Sequence, residues 1–139
     1  MGAEPALDLR IPSDVQQIEA IVQLVVRRCA EHRFAPRQLS LNVPVALTEA
    51  LSNAILRGNR DDRAKEVRIR VVVEDGRLVL EVEDEGEGFD LAGCTEDPTT
   101  PENLQREDGR GLFLMHSLMD RVERFKDQGN VVRLTLLRR

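Results

Sequence analysis

Residues 67–82 read VRIRVVVEDGRLVLEV, and this stretch decides the fold. Val67, Ile69, Val71 and Val73 alternate with Arg68 and Arg70, so one face is apolar and the other charged. Leu78, Leu80 and Val82 resume the alternation after Asp75-Gly76. A two-residue turn between strands needs positive φ, which Asp-Gly tolerates, so the stretch reads as a β-hairpin. A hairpin with one dry face must pack that face on another layer.

Upstream, the spacing supplies that layer. Leu7, Leu9 and Ile11 alternate with Asp8 and Arg10 as a short strand over residues 6–11. Ser13 or Asp14 is placed to cap a helix whose apolar stripe is Ile18, Ile21, Val22, Val25 and Cys29, ending near Phe34. A second helix starts near Pro36, with Val43, Ala46, Leu47, Ala50, Leu51 and Ala54 on one side, and stops at Gly58-Asn59. Pro44 interrupts it, so either the helix kinks or Asn42 caps a later start. Downstream, residues 90–108 are polar, carry Pro98 and Pro101, and are long for a connection, which suggests a functional lid. A helix over about Leu112–Met119 and strands over Arg121–Phe125 and Val131–Leu137 close the chain. The expected order is β-α-α-β-β-lid-α-β-β. The fold class is α+β: one two-layer domain over residues 1–139, with a mixed, mostly antiparallel sheet and helices on one face.

Composition narrows the function. The net charge of −5 disfavours non-specific nucleic-acid binding, and four Phe with no Trp or Tyr leave few stacking platforms for a single strand. Only Lys65 and Lys126 are lysines, and neither follows a glycine as a Walker loop requires. Cys29 and Cys94 read as reduced thiols, and His32 and His116 stand far apart, so no zinc site is expected. No apolar run approaches the roughly 20 residues that span a bilayer. Met1–Leu9 shows no export signal, so the expectation is a cytoplasmic protein with no membrane partner.

Three constellations carry chemistry. Glu49 and Asn53 lie four apart, one helical turn, on one face beside the apolar stripe. A carboxylate and an amide there either enter one cleft or form a solvated face. Asp84-Glu-Gly86-Glu-Gly88-Phe89-Asp90 ends the hairpin, and its glycines permit close backbone approach. It reads as a ligand-accepting acid or as an acidic turn, and it fails the EF-hand spacing because Phe89 stands at position six. Gly109-Arg110-Gly111-Leu112 opens a helix, where free amides and an Arg fork suit phosphate, or where glycines merely loosen the entry.

Taken together and in this order, the three stretches resemble the GHKL ATPases, the superfamily of gyrase, Hsp90, histidine kinases and MutL. Glu49-xxx-Asn53 looks like the N box, Asp84-x-Gly86-x-Gly88 the G1 box and Gly109-x-Gly111 the G2 box. LTEALSNAILRGN, VEDEGEGFD and DPTTPENLQREDGRGLFLMHSLMD look most like the anti-sigma-factor serine/threonine kinase branch. The resemblance implies the Bergerat ATP-binding fold, ATP and Mg²⁺ as cofactors, and an ATP lid over about 90–109. It implies a nucleotide site of Asn53, Arg57, Asp84, Gly86, Gly88, Phe89, Gly109, Arg110, Gly111 and Leu112. In it Asn53 holds Mg²⁺, Asp84 accepts the adenine amino group, and Gly109 and Gly111 give amides to the phosphates. Glu49 is the implied general base toward a protein serine. The implied partners are a STAS-type anti-anti-sigma protein as substrate, a sigma factor, and a second copy in a homodimer. Two departures stand out. Arg57 occupies the usual N-box His position, and Pro44 falls within the N-box helix, where a kink is expected. The competing readings are a non-catalytic nucleotide-binding switch and a histidine-kinase-type or gyrase-type ATPase fragment.

Overall fold

A computed structural model of the chain describes residues 7–86 and 107–139. Strands β1 (Leu7–Pro12), β2 (Glu66–Glu74), β3 (Arg77–Asp84), β4 (Arg121–Lys126) and β5 (Asn130–Leu137) form one sheet in the order β1-β2-β3-β5-β4. Every pairing is antiparallel, so the mixed sheet expected from sequence is antiparallel throughout the described strands. The Asp75-Gly76 turn forms as read, with φ of 53° and 72°.

Helix α1 (Ile18–Glu31) follows a 3₁₀ turn at Val15–Gln17, where the Asp14 carboxylate accepts the Gln16 amide. Ile21, Val22, Val25 and Cys29 are buried as the stripe predicts. Helix α2 (Val43–Ser52) is flanked by π-helical turns, Gln38–Asn42 before it and Asn53–Gly58 after it. The first explains how Pro44 is tolerated. Proline has no N–H to return to the carbonyl four residues back. The chain widens just upstream, with the Val43 amide reaching five residues back to the Gln38 carbonyl. The helical stretch Gln38–Gly58 is therefore continuous. It is 21 residues long and holds an 18-residue window of mean hydropathy 1.3, enough by length and composition to cross a bilayer. In this fold it is the core helix: Val43, Ala46, Leu47, Ala50, Leu51, Ala54 and Ile55 are all buried.

These side chains meet Ile69, Val71, Leu78, Leu80, Leu134 and Leu136 from the inner sheet face in one core. Each large apolar side chain buried there contributes about 1.5–3 kcal/mol. Burial pushes the Cys29 thiol up to about 12, so it is an inert packing residue at neutral pH.

The outer sheet face is polar. Register places Asp8 opposite Arg70, Arg70 opposite Glu81, Glu81 opposite Arg133 and Arg133 opposite Glu123. A row of alternating charge thus crosses all five strands, with Arg133 and Glu81 closest at 2.8 Å. Exposed pairs are worth about 0–1 kcal/mol each, so the row disfavours register slips more than it adds stability.

Helix α3 spans Glu107–Leu118 among the described residues, so it is already under way before the expected Leu112. Gly109 and Gly111 are therefore inside the helix rather than ahead of it. The expected lid at about 90–109 lies outside the described residues, save its last positions, which belong to α3. Gly88 and Phe89 lie outside them as well.

Candidate functional site

The widened turn at the end of α2 and the second turn of α3 enclose a groove of about 780 Å³. Glu49, Ser52, Asn53, Leu56, Arg57, Gly111 and Leu114 line it. The first and third constellations meet directly here. A Cβ on Gly111 would stand 2.9 Å from Glu49 Oε2 and 3.3 Å from Asn53 Nδ2. Gly111 is buried, and α3 lies against α2 at this point because its residue has no side chain. Gly109 and Gly111 both lie within the described span of this helix. Leu112 is partly buried against the core.

The second constellation is joined to the same helix at its far end. A Cβ on Gly58 would overlap the Asp84 carboxylate, and one on Gly86 would overlap the Gly58 carbonyl. Asp84, Gly86 and Gly58 therefore interlock through the space that two missing side chains leave. Asp84 is only 2% exposed. Its Oδ1 accepts from the Gly86 amide at 2.8 Å and from Asn130 Nδ2 at 2.9 Å. Asp84 does not line the large groove. It borders a cavity of about 250 Å³ with Arg10, Arg68, Glu83 and Gln128.

Two residues that local patterning treats as turn punctuation prove structural. Asn59 is fully buried. Its Nδ2 donates to Ser13 Oγ at 2.7 Å and to the Glu66 carbonyl at 3.0 Å, while its Oδ1 accepts the Glu85 amide at 2.7 Å. Asn130 donates to Asp84 and also to the Gly86 carbonyl at 3.2 Å. Both follow a glycine, Gly58 and Gly129, and a Cβ on Gly129 would overlap the Asp84 carbonyl oxygen. The repeated Gly-Asn pair was the available signal: each glycine yields to Asp84 and each asparagine pins the segment around it.

Burial raises the Asp84 pKa above its ordinary 3.8. The Asn130 and Gly86 hydrogen bonds pull it down, Glu83 pushes it up, and Arg124 pulls it down, leaving a net rise. A raised native pKa means that the native state holds this proton more tightly than the unfolded chain. Asp84 thus contributes stability fully below pH 3.8, and that contribution is lost as pH rises through the raised value. We expect Asp84→Asn to be more stable than the wild type at neutral pH. The gain should shrink as the pH falls toward 3.8 in urea unfolding curves. A gain independent of pH would contradict this.

Among the described residues, no group of three or more His, Cys, Asp or Glu is arranged to hold a metal. The groove nevertheless suits Mg²⁺ delivered with a triphosphate, which binds through one or two protein oxygens and takes the remainder from phosphate and water. The Asn53 side chain lines that groove and would supply such an oxygen.

A five-stranded antiparallel sheet with a long core helix, a buried acid at the end of β3 and a carboxylate–amide pair under a glycine of α3 define a nucleotide-binding α+β domain. Residues 11–136 match the histidine kinase-like ATPase domain, and the chain belongs to that family. It is 30% identical over 134 residues to the serine-protein kinase RsbW of Bacillus subtilis (strain 168), covering 93% of this chain and 83% of that protein. It is 29% identical over 136 residues to the serine-protein kinase RsbW of Bacillus pumilus (strain SAFR-032), with the same two coverages. Among solved structures, the RsbU and RsbW domains of Rv1364c from Mycobacterium tuberculosis superpose with a TM-score of 0.66 at 16% identity. That match covers 97% of this chain and spans 32% of the other, and it shows the shared fold.

Proposed function

We propose that this chain is an ATP-dependent serine/threonine protein kinase that also acts as an anti-sigma factor in the cytoplasm. Its substrate is a serine of a STAS-type anti-anti-sigma protein, and phosphorylation decides whether it holds that protein or a sigma factor. It works as a homodimer, for which the edge strand β1 offers partly exposed Leu7 and Leu9. The observation that carries the reading is the seat of Gly111 against both Glu49 and Asn53. It brings a carboxylate and a side-chain amide against α3 in one groove, which supports the reading.

The proposed roles follow the motif assignments and, for Glu49, Asn53, Arg57 and Gly111, their place in the groove. Glu49 takes the proton of the serine hydroxyl as its oxygen attacks the γ-phosphorus and the bond to the β-phosphate oxygen breaks. Asn53 holds Mg²⁺, which when bound neutralises charge on the phosphates. Gly109 is assigned to the phosphates through its amide and Arg110 through its charge, by their place in the glycine motif, and Arg57, which lines the groove, adds positive charge there. Gly111 keeps α3 close to Glu49 and Asn53. Asp84 accepts the adenine amino group, with Gly86 beside it; Gly88 and Phe89 are assigned to the base by their place in the motif alone, and Leu112 anchors the phosphate helix to the core. Phosphoryl transfer depends chiefly on positioning and charge, which this set supplies.

The test is in two parts. Mg-ATP at about 100 times its dissociation constant should raise stability by roughly 2.7 kcal/mol. Label from [γ-³²P]ATP should then pass to a serine of the anti-anti-sigma protein. Absence of a thermal shift at saturating Mg-ATP would remove the nucleotide premise. A shift without transfer would leave a silent switch.

A further inference from the structure

We propose that Leu114 is a specificity-determining residue toward the protein substrate: it receives an apolar side chain next to the target serine, so the site takes serines flanked by an apolar residue over those in charged surroundings. This deepens the kinase reading above and rests on it. Leu114 lines the groove with Glu49, Asn53 and Gly111 and is 38% exposed, although its neighbour Met115 is fully buried in the core. Leu56 is the other exposed leucine of the groove, and Phe113, also exposed, precedes Leu114 on α3. A single leucine on a surface calls for no explanation, whereas apolar groups gathered at a groove mark a binding surface.

The run of the two helices says which end of the groove Leu114 serves. Gly111 lies against Glu49 and Asn53, while the Leu118 carbonyl accepts from Asn42 Nδ2 at 2.7 Å. Going forward along α3 is thus going back along the core helix, and the two run antiparallel. Leu114, about one turn beyond Gly111, therefore stands toward Glu49 and the start of α2. Leu56 lies the other way, past Asn53 and toward Gly58, which abuts the Asp84 carboxylate. Roughly 13 Å of helix separates Glu49 from Gly58. With adenine at Asp84 and the metal at Asn53, the nucleotide occupies the Leu56 side of the groove and its γ-phosphate ends near the middle. The attacking and leaving oxygens of phosphoryl transfer lie roughly in line, on opposite sides of the phosphorus. The leaving oxygen is on the Asp84 side, so the serine enters from the Leu114 side, where Glu49 takes its proton. A hydrated, charged phosphate gains nothing from a leucine there. An apolar side chain beside the serine does gain, because contact with Leu114 removes the surface of both from water.

The experiment measures transfer from Mg-[γ-³²P]ATP to the anti-anti-sigma protein over a range of its concentrations, beside equilibrium binding of Mg-ATP. Wild type, Leu114→Ala, Leu114→Gln and Leu114→Met are compared. Each is also tested on partner proteins in which the residues on either side of the serine are changed singly to Ala. Leu114→Ala should lower kcat/KM for the protein by roughly tenfold through KM, with kcat and Mg-ATP affinity unchanged. Leu114→Gln, of similar length and good helix propensity, gives the same reading if the alanine variant does not fold. Leu114→Met, close in volume and apolar, should keep most of the wild-type value. One partner substitution, at an apolar residue, should cost the wild type a similar factor and cost Leu114→Ala little more, because the two side chains meet. An unchanged kcat/KM in Leu114→Ala and Leu114→Gln overturns the proposal and leaves the kinase reading standing. An equal loss of Mg-ATP affinity also overturns it, by giving Leu114 to the nucleotide, and so do losses that multiply with every partner substitution. Wild type that binds Mg-ATP but transfers no phosphate overturns the kinase reading and this inference together.

Discussion

Glu49→Ala is expected to slow phosphate transfer to the partner serine by about 10²–10⁴, the usual worth of a positioned base. The thermal shift given by Mg-ATP should survive, because Glu49 is assigned to the incoming hydroxyl and not to the base or the metal. Asn53→Ala should do the opposite and weaken the shift itself. Glu49→Gln is the sharper variant. It keeps the shape that meets Gly111, so lost packing cannot explain a lost rate. Single-turnover transfer from labelled ATP is the measurement, since it separates chemistry from product release. A wild-type rate in Glu49→Gln would remove Glu49 from the role of base, and the groove would then serve binding alone.

The pairing of Glu49 with Asn53 was legible because it is local. A spacing of four on a helix fixes a shared face whatever lies opposite. The hairpin was legible for the same reason. Asp75-Gly76 sets the register, so Arg70 must face Glu81 once the turn is known. That Asp8, Arg133 and Glu123 extend the row was not legible, because it depends on pairings between strands far apart in sequence. Pro44 shows another limit. Periodicity registers a proline as a break, whereas the chain absorbs it in a π-turn at Gln38–Asn42. The start of α3 was displaced because glycine pairs read as helix entries, and Gly109-x-Gly111 belongs to a helix already under way. Gly58 and Gly129 were the deepest omissions. Each reads locally as a stop or a turn, yet each is small because Asp84 lies where its side chain would be. A close approach between distant segments leaves no periodic trace, so only the Gly-Asn repetition hinted at it.

Gly111→Ala should separate stability from activity, which makes it the most discriminating single substitution in the site. Gly111 lies within α3, so nothing in the helical conformation calls for glycine. Alanine is favoured over glycine in a helix interior by up to about 1 kcal/mol. On helix propensity alone the variant should melt at or above the wild-type temperature. The space argues differently. The new methyl would lie 2.9 Å from Glu49 Oε2, closer than real contacts come, and 3.3 Å from Asn53 Nδ2, tighter than most. Both atoms end flexible side chains, so they can turn aside at little cost to the fold. The two groups that move are the assigned base and the assigned metal ligand. A displacement of about 1 Å at a reacting group costs on the order of 10² in rate. The expected result is transfer slowed by about 10² with a Tm unchanged or slightly raised. Full activity would mean that Glu49 and Asn53 do not act from where they stand against α3. A large fall in Tm would mean that α3 is held there by contacts that a methyl breaks, and glycine would then be a requirement of the fold rather than of the site.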